Sequence, residues 1–297
     1  MLNLRIDRTL SVYLGHPLAR RLSGRRGLRI PILMYHSIRE GTEGRHAYFE
    51  TSTSPRVFAQ HMKFLREGGY RVLSLDKALL TLTVGGHRTE ELDKARQGAT
   101  GSINPKFVVI TFDDGYADFY RKAFPILSQY GFTATVFVIT GLLEAQRMSF
   151  KGTECLNLGE IRELHSQGFS IGSHTVTHPN LSLLNQEEVE NELSGSMKSL
   201  EDALGAPVNL FAYPFAFPET NRRFVGRLAG LLSQCGYESG VTTMLGTAHR
   251  GNNRFFLPRL PANTWDDPAL FQAKLEGGYD WLHAPQYLAK TAAGFLP

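Results

Sequence analysis

At 297 residues, 42% hydrophobic and 20% charged, the chain has the composition of a globular protein large enough to bury a full core, which excludes disorder, collagen-like repetition and a bundle of membrane spans. The formal charge is +4, yet residues 1–30 hold seven arginines against one aspartate, so of the 32 basic and 28 acidic residues the rest of the chain carries 25 and 27. A main body so close to neutral argues against nucleic acid as a partner.

Residues 1–29 read as a basic N-terminal extension and residues 30–297 as one catalytic-sized domain, with no repeat and no Pro/Ser-rich linker between them. A secretory signal needs an apolar stretch of about 7 to 15 residues. The N-terminus offers only Leu10, Val12, Tyr13 and Leu14 among polar residues, and no long apolar segment follows Arg20-Arg21 or Arg25-Arg26 as a twin-arginine signal requires. The expectation is a cytoplasmic protein. Arginines interleaved with leucines predict that residues 1–30 lie against an anionic membrane face, the alternative being an extension packed on the outside of the domain.

From Ile30 the chain alternates apolar runs with amphipathic ones. Ile30–Tyr35 reads as a buried strand, and Pro55–Gly68 as a helix capped by Ser54 and stopped by Gly68-Gly69. A strand at Arg71–Leu75 and a short helix at Asp76–Leu82 come next, then a long exposed loop over 83–105. Phe107–Phe112 is a strand, Ala117–Tyr130 a helix ending at Gly131, and Thr133–Ile139 a strand. A helix at Gly159–Gln167 and a strand at Phe169–Ile171 lead to the long helix Gln186–Leu204, with Val189, Leu193, Met197 and Leu200 on one stripe. Asn209–Ala212 and Ser239–Thr242 are strands around the helix Arg222–Cys235. An irregular segment ends at Leu257–Leu260, and short helices at Asp267–Leu275 and Pro285–Lys290 close the chain. Alternation of this kind means parallel βαβ units, and about seven of them favour a barrel, whose chemistry collects at the C-terminal ends of its strands. Cys155 and Cys235, 80 residues apart, have neither disulfide-framework nor zinc-finger spacing and are expected to be buried thiols.

Two polar clusters sit at such strand ends. Asp113 and Asp114 follow the apolar strand Phe107–Phe112. Neighbouring residues there point in different directions, so one carboxylate can ligate a metal while the other faces a reacting water; as an isolated motif, Asp-Asp-Gly is also an ordinary turn. His174 and His178 follow the strand Phe169–Ile171, and two imidazoles four residues apart can reach one ion. A carboxylate with two imidazoles leaves coordination positions open for water and substrate.

Thr111-Phe112-Asp113-Asp114-Gly115-Tyr116, followed about 60 residues later by Ser173-His174-Thr175 and His178-Pro179, resembles the polysaccharide deacetylase family, or carbohydrate esterase family 4, from about Ile30 to Pro261. The resemblance implies a distorted (β/α)7 barrel that removes acetyl groups from N-acetylglucosamine-containing poly- or oligosaccharides. It implies Asp113 as general base and Asp114, His174 and His178 as ligands of a divalent metal, usually zinc, that activates water and polarises the acetyl carbonyl. Met34-Tyr35-His36-Ser37-Ile38 is similar to the corresponding motif of the biofilm poly-N-acetylglucosamine deacetylases, and nominates His36 as general acid. His283, in a loose match to the Leu-x-His of other members, is the runner-up. Where many members carry Arg-x-Pro-Tyr, this chain has Ala212-Tyr213-Pro214-Phe215-Ala216, with alanine at the place of an expected glycine. Arg259 is nominated to supply the missing cation and orient Asp113, the alternative being a surface salt bridge. Tyr213, Tyr116, Phe215 and Phe217 are nominated to line the sugar cleft. Two other readings remain: a deacylase of O-acetyl or formyl sugars on the same site, and a carbohydrate-binding homologue that has lost turnover.

Overall fold

The computed structural model describes residues 5–25, 27–41, 50–83 and 106–292. Among the described residues, eight parallel strands form one sheet that closes on itself: β1 (Ile32–Tyr35), β2 (Arg71–Leu73), β3 (Phe107–Phe112), β4 (Thr135–Val138), β5 (Ser170–Ser173), β6 (Leu210–Ala212), β7 (Ser239–Leu245) and β8 (Leu257–Pro261). The ring runs β1-β3-β4-β5-β6-β7-β8 and back to β1 through Leu260↔Leu33 and Pro261↔Met34. The short β2 pairs with Phe107–Val109 of β3, while β3 meets β4 only at Thr111 and Phe112. That splayed seam is the distortion in a seven-stranded (β/α) barrel. β3 is buried at all six residues, as expected where helices cover the outside and side chains fill the inside.

From residue 50 onward the α-helices are α1 (Pro55–Glu67), α2 (Leu75–Thr83), α3 (Phe124–Tyr130), α4 (Leu158–Ser166), α5 (Gln186–Leu204), α6 (Arg222–Cys235), α7 (Pro268–Leu275) and α8 (His283–Ala292). Their ends follow from local chemistry. Ser54 accepts from the Val57 N–H at the start of α1, and α5 opens on a reciprocal Asn185/Glu188 capping box and stops at Gly205, whose φ of +64° few other residues adopt. The predicted α5 stripe is the buried face of that helix. A π-helical turn, Phe119–Ala123, precedes α3 where one unbroken helix is expected from sequence.

One expectation is corrected and one element is added. Leu257–Pro261 is not irregular but β8, the strand that closes the barrel; Pro258 and a buried arginine disguise it. Ser149–Phe150 and Thr153–Glu154 form a small antiparallel hairpin that the sequence reading passed over. The loop read at 83–105 lies, apart from Thr83 at the end of α2, outside the described residues. Both cysteines are free thiols, Cys155 buried and Cys235 half-buried. No helix among the described residues is long and apolar enough to cross a membrane.

Candidate metal centre and active site

The eight strands of the barrel sheet all run the same way, so the residues that leave β1, β3, β5 and β6 emerge together at one end of the barrel. Asp113 continues the β3 ladder, its N–H donating to the Tyr35 carbonyl at 3.0 Å. Asp114 then takes φ +68°, and this left-handed step turns its carboxylate away from that of its neighbour. Gly115, at φ +64°, is held so close to β4 that a Cβ would lie 2.9 Å from Val138 Cγ1, so the turn needs glycine at this place.

The histidine segment is built with comparable constraint. His174 donates its N–H to the Val138 carbonyl at 2.9 Å, Thr175 and His178 both have positive φ, and the Thr175 hydroxyl accepts the His178 N–H at 3.0 Å. Glu192 on α5 accepts the N–H groups of Val176 and Thr177 at 2.8 and 2.9 Å and the Thr177 hydroxyl at 2.6 Å. Gly141 donates to the Val176 carbonyl, and any Cβ there would lie 2.7 Å from that oxygen.

These turns bring Asp114, His174 and His178, all buried, to one point: their ligand atoms lie within 4.8 Å of one another. His174 and His178 each place Nε2 close to Asp114 Oδ1, at 3.5 and 3.4 Å. The other nitrogen of His174, Nδ1, donates to the Ala212 carbonyl at 2.8 Å, which fixes the ring and leaves Nε2 to face the carboxylate. His178 Nδ1 is buried without a hydrogen-bond partner. Burial followed by the neighbouring His174 pulls the His178 pKa down to about 4, so its ring is neutral near pH 7, the form a metal ligand requires. Burial alone would raise the Asp114 carboxyl, but the His174 hydrogen bond and the charges of His36 and His174 hold it well below the usual range. An ionised carboxylate and two imidazoles converging in a buried pocket fit a divalent ion of the zinc class, with positions left over for water and substrate.

Beside this centre, Arg259 crosses the barrel interior fully buried. It donates from Nη2 to Asp113 Oδ2 at 2.6 Å, from Nη1 to Asp113 Oδ1 at 2.7 Å and to Thr111 Oγ1 at 3.1 Å, and from Nε to the Thr242 carbonyl at 2.9 Å. The surface-salt-bridge alternative is thereby overturned. Burial would raise the Asp113 carboxyl, yet the Arg259 charge and fork, helped by His174 and His36, bring it below the ordinary value. His36 follows β1 directly and places Nε2 at 4.0 Å from Asp113 Oδ2, with a fifth of its side chain open to solvent.

The remaining nominated residues divide. Phe215, 47% exposed, packs its ring 4.6 Å from that of His178 at the mouth of the site. Tyr116 is buried beside Asp114, and its phenol is pushed above the ordinary range by burial and then by that carboxylate. Tyr213 and Phe217 do not line a cleft: each is 1% exposed, their rings 5.0 Å apart in the core beneath α6. His283 stands at the start of α8 with its Nε2 2.7 Å from Glu219, whose other oxygen takes Lys290, so it is paired away from Asp113 and Asp114. Sequence reasoning missed Glu192, which looks like any acid on an exposed helix face. It also missed Phe150, whose ring lies 5.0 Å from His178, and Lys151, whose ammonium sits over the Phe150 and Phe215 rings at 4.6 and 5.4 Å. The Lys151-Gly152 turn between two short extended pairs was the available signal.

Comparison with known proteins agrees with this geometry. The sequence model described as Polysaccharide deacetylase matches residues 100–236. The Bacillus subtilis (strain 168) protein YxkH, named for the same family, is 30% identical over 248 residues, covering 84% of this chain and 76% of that one. A poly-β-1,6-N-acetyl-D-glucosamine N-deacetylase of Staphylococcus aureus (strain MRSA252) is 26% identical over 169 residues, 54% of this chain and 56% of its own length. Among solved structures, the Streptococcus pyogenes deacetylase PplD in complex with acetate superposes with a TM-score of 0.67 at 27% identity, covering 84% of this chain and 99% of that one.

Proposed function

The chain belongs to the polysaccharide deacetylase family of hydrolases, and from that premise we propose that it removes N-acetyl groups from an N-acetylglucosamine-containing poly- or oligosaccharide, with the chemistry carried by residues 30–297. The observation that carries the proposal is the convergence of Asp114, His174 and His178 next to an Asp113 carboxylate gripped at both oxygens. A divalent metal held by those three residues, for which zinc suits the donor set, supplies a more acidic water and a polarised acetyl carbonyl.

The chain's own residues do the rest. Asp113 takes the proton of the attacking water; each of its oxygens keeps a second lone pair beyond the one given to Arg259. Arg259 fixes the orientation of that carboxylate and keeps it ionised. His36, close to Asp113 and partly open to solvent, delivers a proton to the departing amine. Phe215 and Phe150 offer ring faces at the mouth against which a sugar packs.

The test is acetate release from N-acetylglucosamine oligomers by zinc- or cobalt-loaded protein, with acetate release from O-acetylated sugars and formate release from N-formylated sugars as comparisons. Absence of both acetate and formate from every substrate, together with an Asp114→Ala variant that retains metal like the parent, would refute the assignment. Preferential release from an O-acetyl or formyl sugar would move the substrate class while keeping the site.

A further inference from the structure

Residues Ile6–Leu10, Ser11–Gly15, His16–Leu22 and Ser23–Arg25 form one continuous helical run along the outside of the barrel. Its inner side is fastened to α7 and the segment after it. Arg8 pairs with Asp267, His16 Nε2 lies 2.8 Å from Glu276, the Trp281 indole donates to Ser11 at 3.0 Å and the Tyr279 hydroxyl to Asp7 at 3.2 Å. Gly15 sits so close to Gly278 that a Cβ would lie 2.3 Å from its carbonyl oxygen, and Ser11 and Ala19 are buried. The extension is thus docked, as one of the two sequence-based alternatives had it.

The other side of the run is the unusual one. Ile6, Tyr13, Leu14 and Leu18, at helical spacing, are each more than half exposed. With Trp265 and Trp281, which contact the run through Arg5 and Ser11, they make up half of the twelve large apolar side chains exposed among the described residues. A helix held this firmly has no conformational reason to show such side chains to water, and apolar exposure concentrated on and beside one helical run marks an interaction surface. Arg20 and Arg21 extend from the same run, exposed and without an ion pair among the described residues, while its one acid, Asp7, is turned inward to Arg5 and Tyr279.

Aliphatic side chains, a tyrosine and tryptophans beside unpaired arginines are the composition of a helix that lies in a lipid–water interface. We propose that this face seats the protein on an anionic bilayer surface, with Ile6, Tyr13, Leu14 and Leu18 entering the headgroup region and Arg20 and Arg21 meeting lipid phosphates. Trp265 follows the C-terminal end of β8, where the Ala262 N–H donates to the Met34 carbonyl, so one end of the face reaches the end of the barrel from which His36 leaves β1. Resting on the proposed function, this placement suits a glycan held at or emerging from that surface.

The test is co-sedimentation of the full chain with vesicles of phosphatidylcholine alone and of phosphatidylcholine with phosphatidylglycerol. Binding is expected to the anionic vesicles and to weaken with added salt. Each arginine near an anionic surface is worth about fivefold, so Arg20→Glu/Arg21→Glu should weaken binding by roughly 25-fold or more. Ile6→Ser/Tyr13→Ser/Leu14→Ser/Leu18→Ser should abolish it while melting like the parent and keeping parent acetate release from a soluble oligomer. Failure of the parent to sediment, equal sedimentation by parent and folded variants, or a parent dimer that the serine variant dissolves would each overturn the proposal, the last by giving the face to a second copy of the chain. These readouts hold even if the deacetylase reading fails, since vesicle binding needs no turnover.

Discussion

The Arg259 guanidinium is enclosed by the barrel, gives both halves of its fork to Asp113 and two of its other three N–H groups to Thr111 and the Thr242 carbonyl. Arg259→Met keeps most of the volume and removes the charge, leaving a buried carboxylate whose compensation is gone. Breaking one side of a buried pair costs about 3–5 kcal/mol, whereas removing both charges is often close to neutral. Arg259→Met should therefore be destabilised by about 3–5 kcal/mol, and Asp113→Asn/Arg259→Met should recover about 2 kcal/mol of that loss, a coupling within the range seen for contacting residues.

Urea unfolding of chelated protein measures this without a contribution from bound metal. The pH dependence adds a second arm. In the parent, the Asp113 pKa lies below its unfolded value of 3.8, so its contribution to stability is complete above that value and is lost as pH falls through the folded one. In Arg259→Met, burial is no longer opposed by the guanidinium, the carboxyl pKa rises, and protonation relieves the variant first. The stability gap between parent and variant should be widest near neutrality and narrow toward acid. A double variant no more stable than Arg259→Met, or a gap indifferent to pH, would show that the pair does not hold the carboxylate as described.

Other perturbations separate the remaining roles. His36→Gln should lose at least about a hundredfold in turnover, the low end of general acid–base contributions, with metal content intact, and His283→Gln should stay near the parent; the reverse pattern in paired acetate-release and metal assays would transfer the acid role. Glu192→Ala removes three hydrogen bonds from the turn that carries His178, and metal affinity should fall about tenfold in a competition titration with a chromophoric chelator, unchanged affinity being the refuting result. Phe215→Ser should raise KM with kcat near the parent and shift stability by no more than about 0.5 kcal/mol, since the ring is half exposed; a fall in kcat at constant KM would mean that it acts in the transition state instead.

Legibility in the sequence followed how local each determinant is. β3 could be read because four apolar residues, Phe107–Ile110, run without interruption and Phe112 extends them past Thr111, and α5 and α6 because the apolar stripe and the caps lie in or beside the segment itself. β8 was hidden because Pro258 and Arg259 contradict strand composition, and only its neighbours β7 and β1 show that the strand closes a ring. The cluster of Asp114, His174 and His178 was visible because each of its two motifs spans a few residues. Tyr213 was misplaced because the direction of one side chain after β6 depends on the packing of α6, which leaves no trace in a five-residue motif. The Ala212 carbonyl that orients His174 is a backbone group, so no residue type signals it.

The left-handed residues join these threads. Among the described residues, five non-glycine positions have positive φ; Asp114, Thr175, His178 and Phe215 are at the site, and Lys151 tips the hairpin whose ammonium rests over Phe215. Aspartate and histidine tolerate that conformation better than most, but a β-branched threonine is a true outlier, and strain of this type costs about 1–3 kcal/mol per residue. Thr175 is held there by its neighbours: its N–H donates to Ser173 Oγ, its hydroxyl donates to the His174 carbonyl and accepts from the His178 N–H, and its carbonyl accepts from Thr140. A relaxed extended backbone would alternate side chains from face to face and send His174 and His178 along the strand direction. The reversal at Thr175 folds the segment back so that both rings meet Asp114, just as the reversal at Asp114 parts that carboxylate from Asp113. The strain is what lets two short stretches of sequence deliver a cluster able to hold a metal and a separate carboxylate to one small volume.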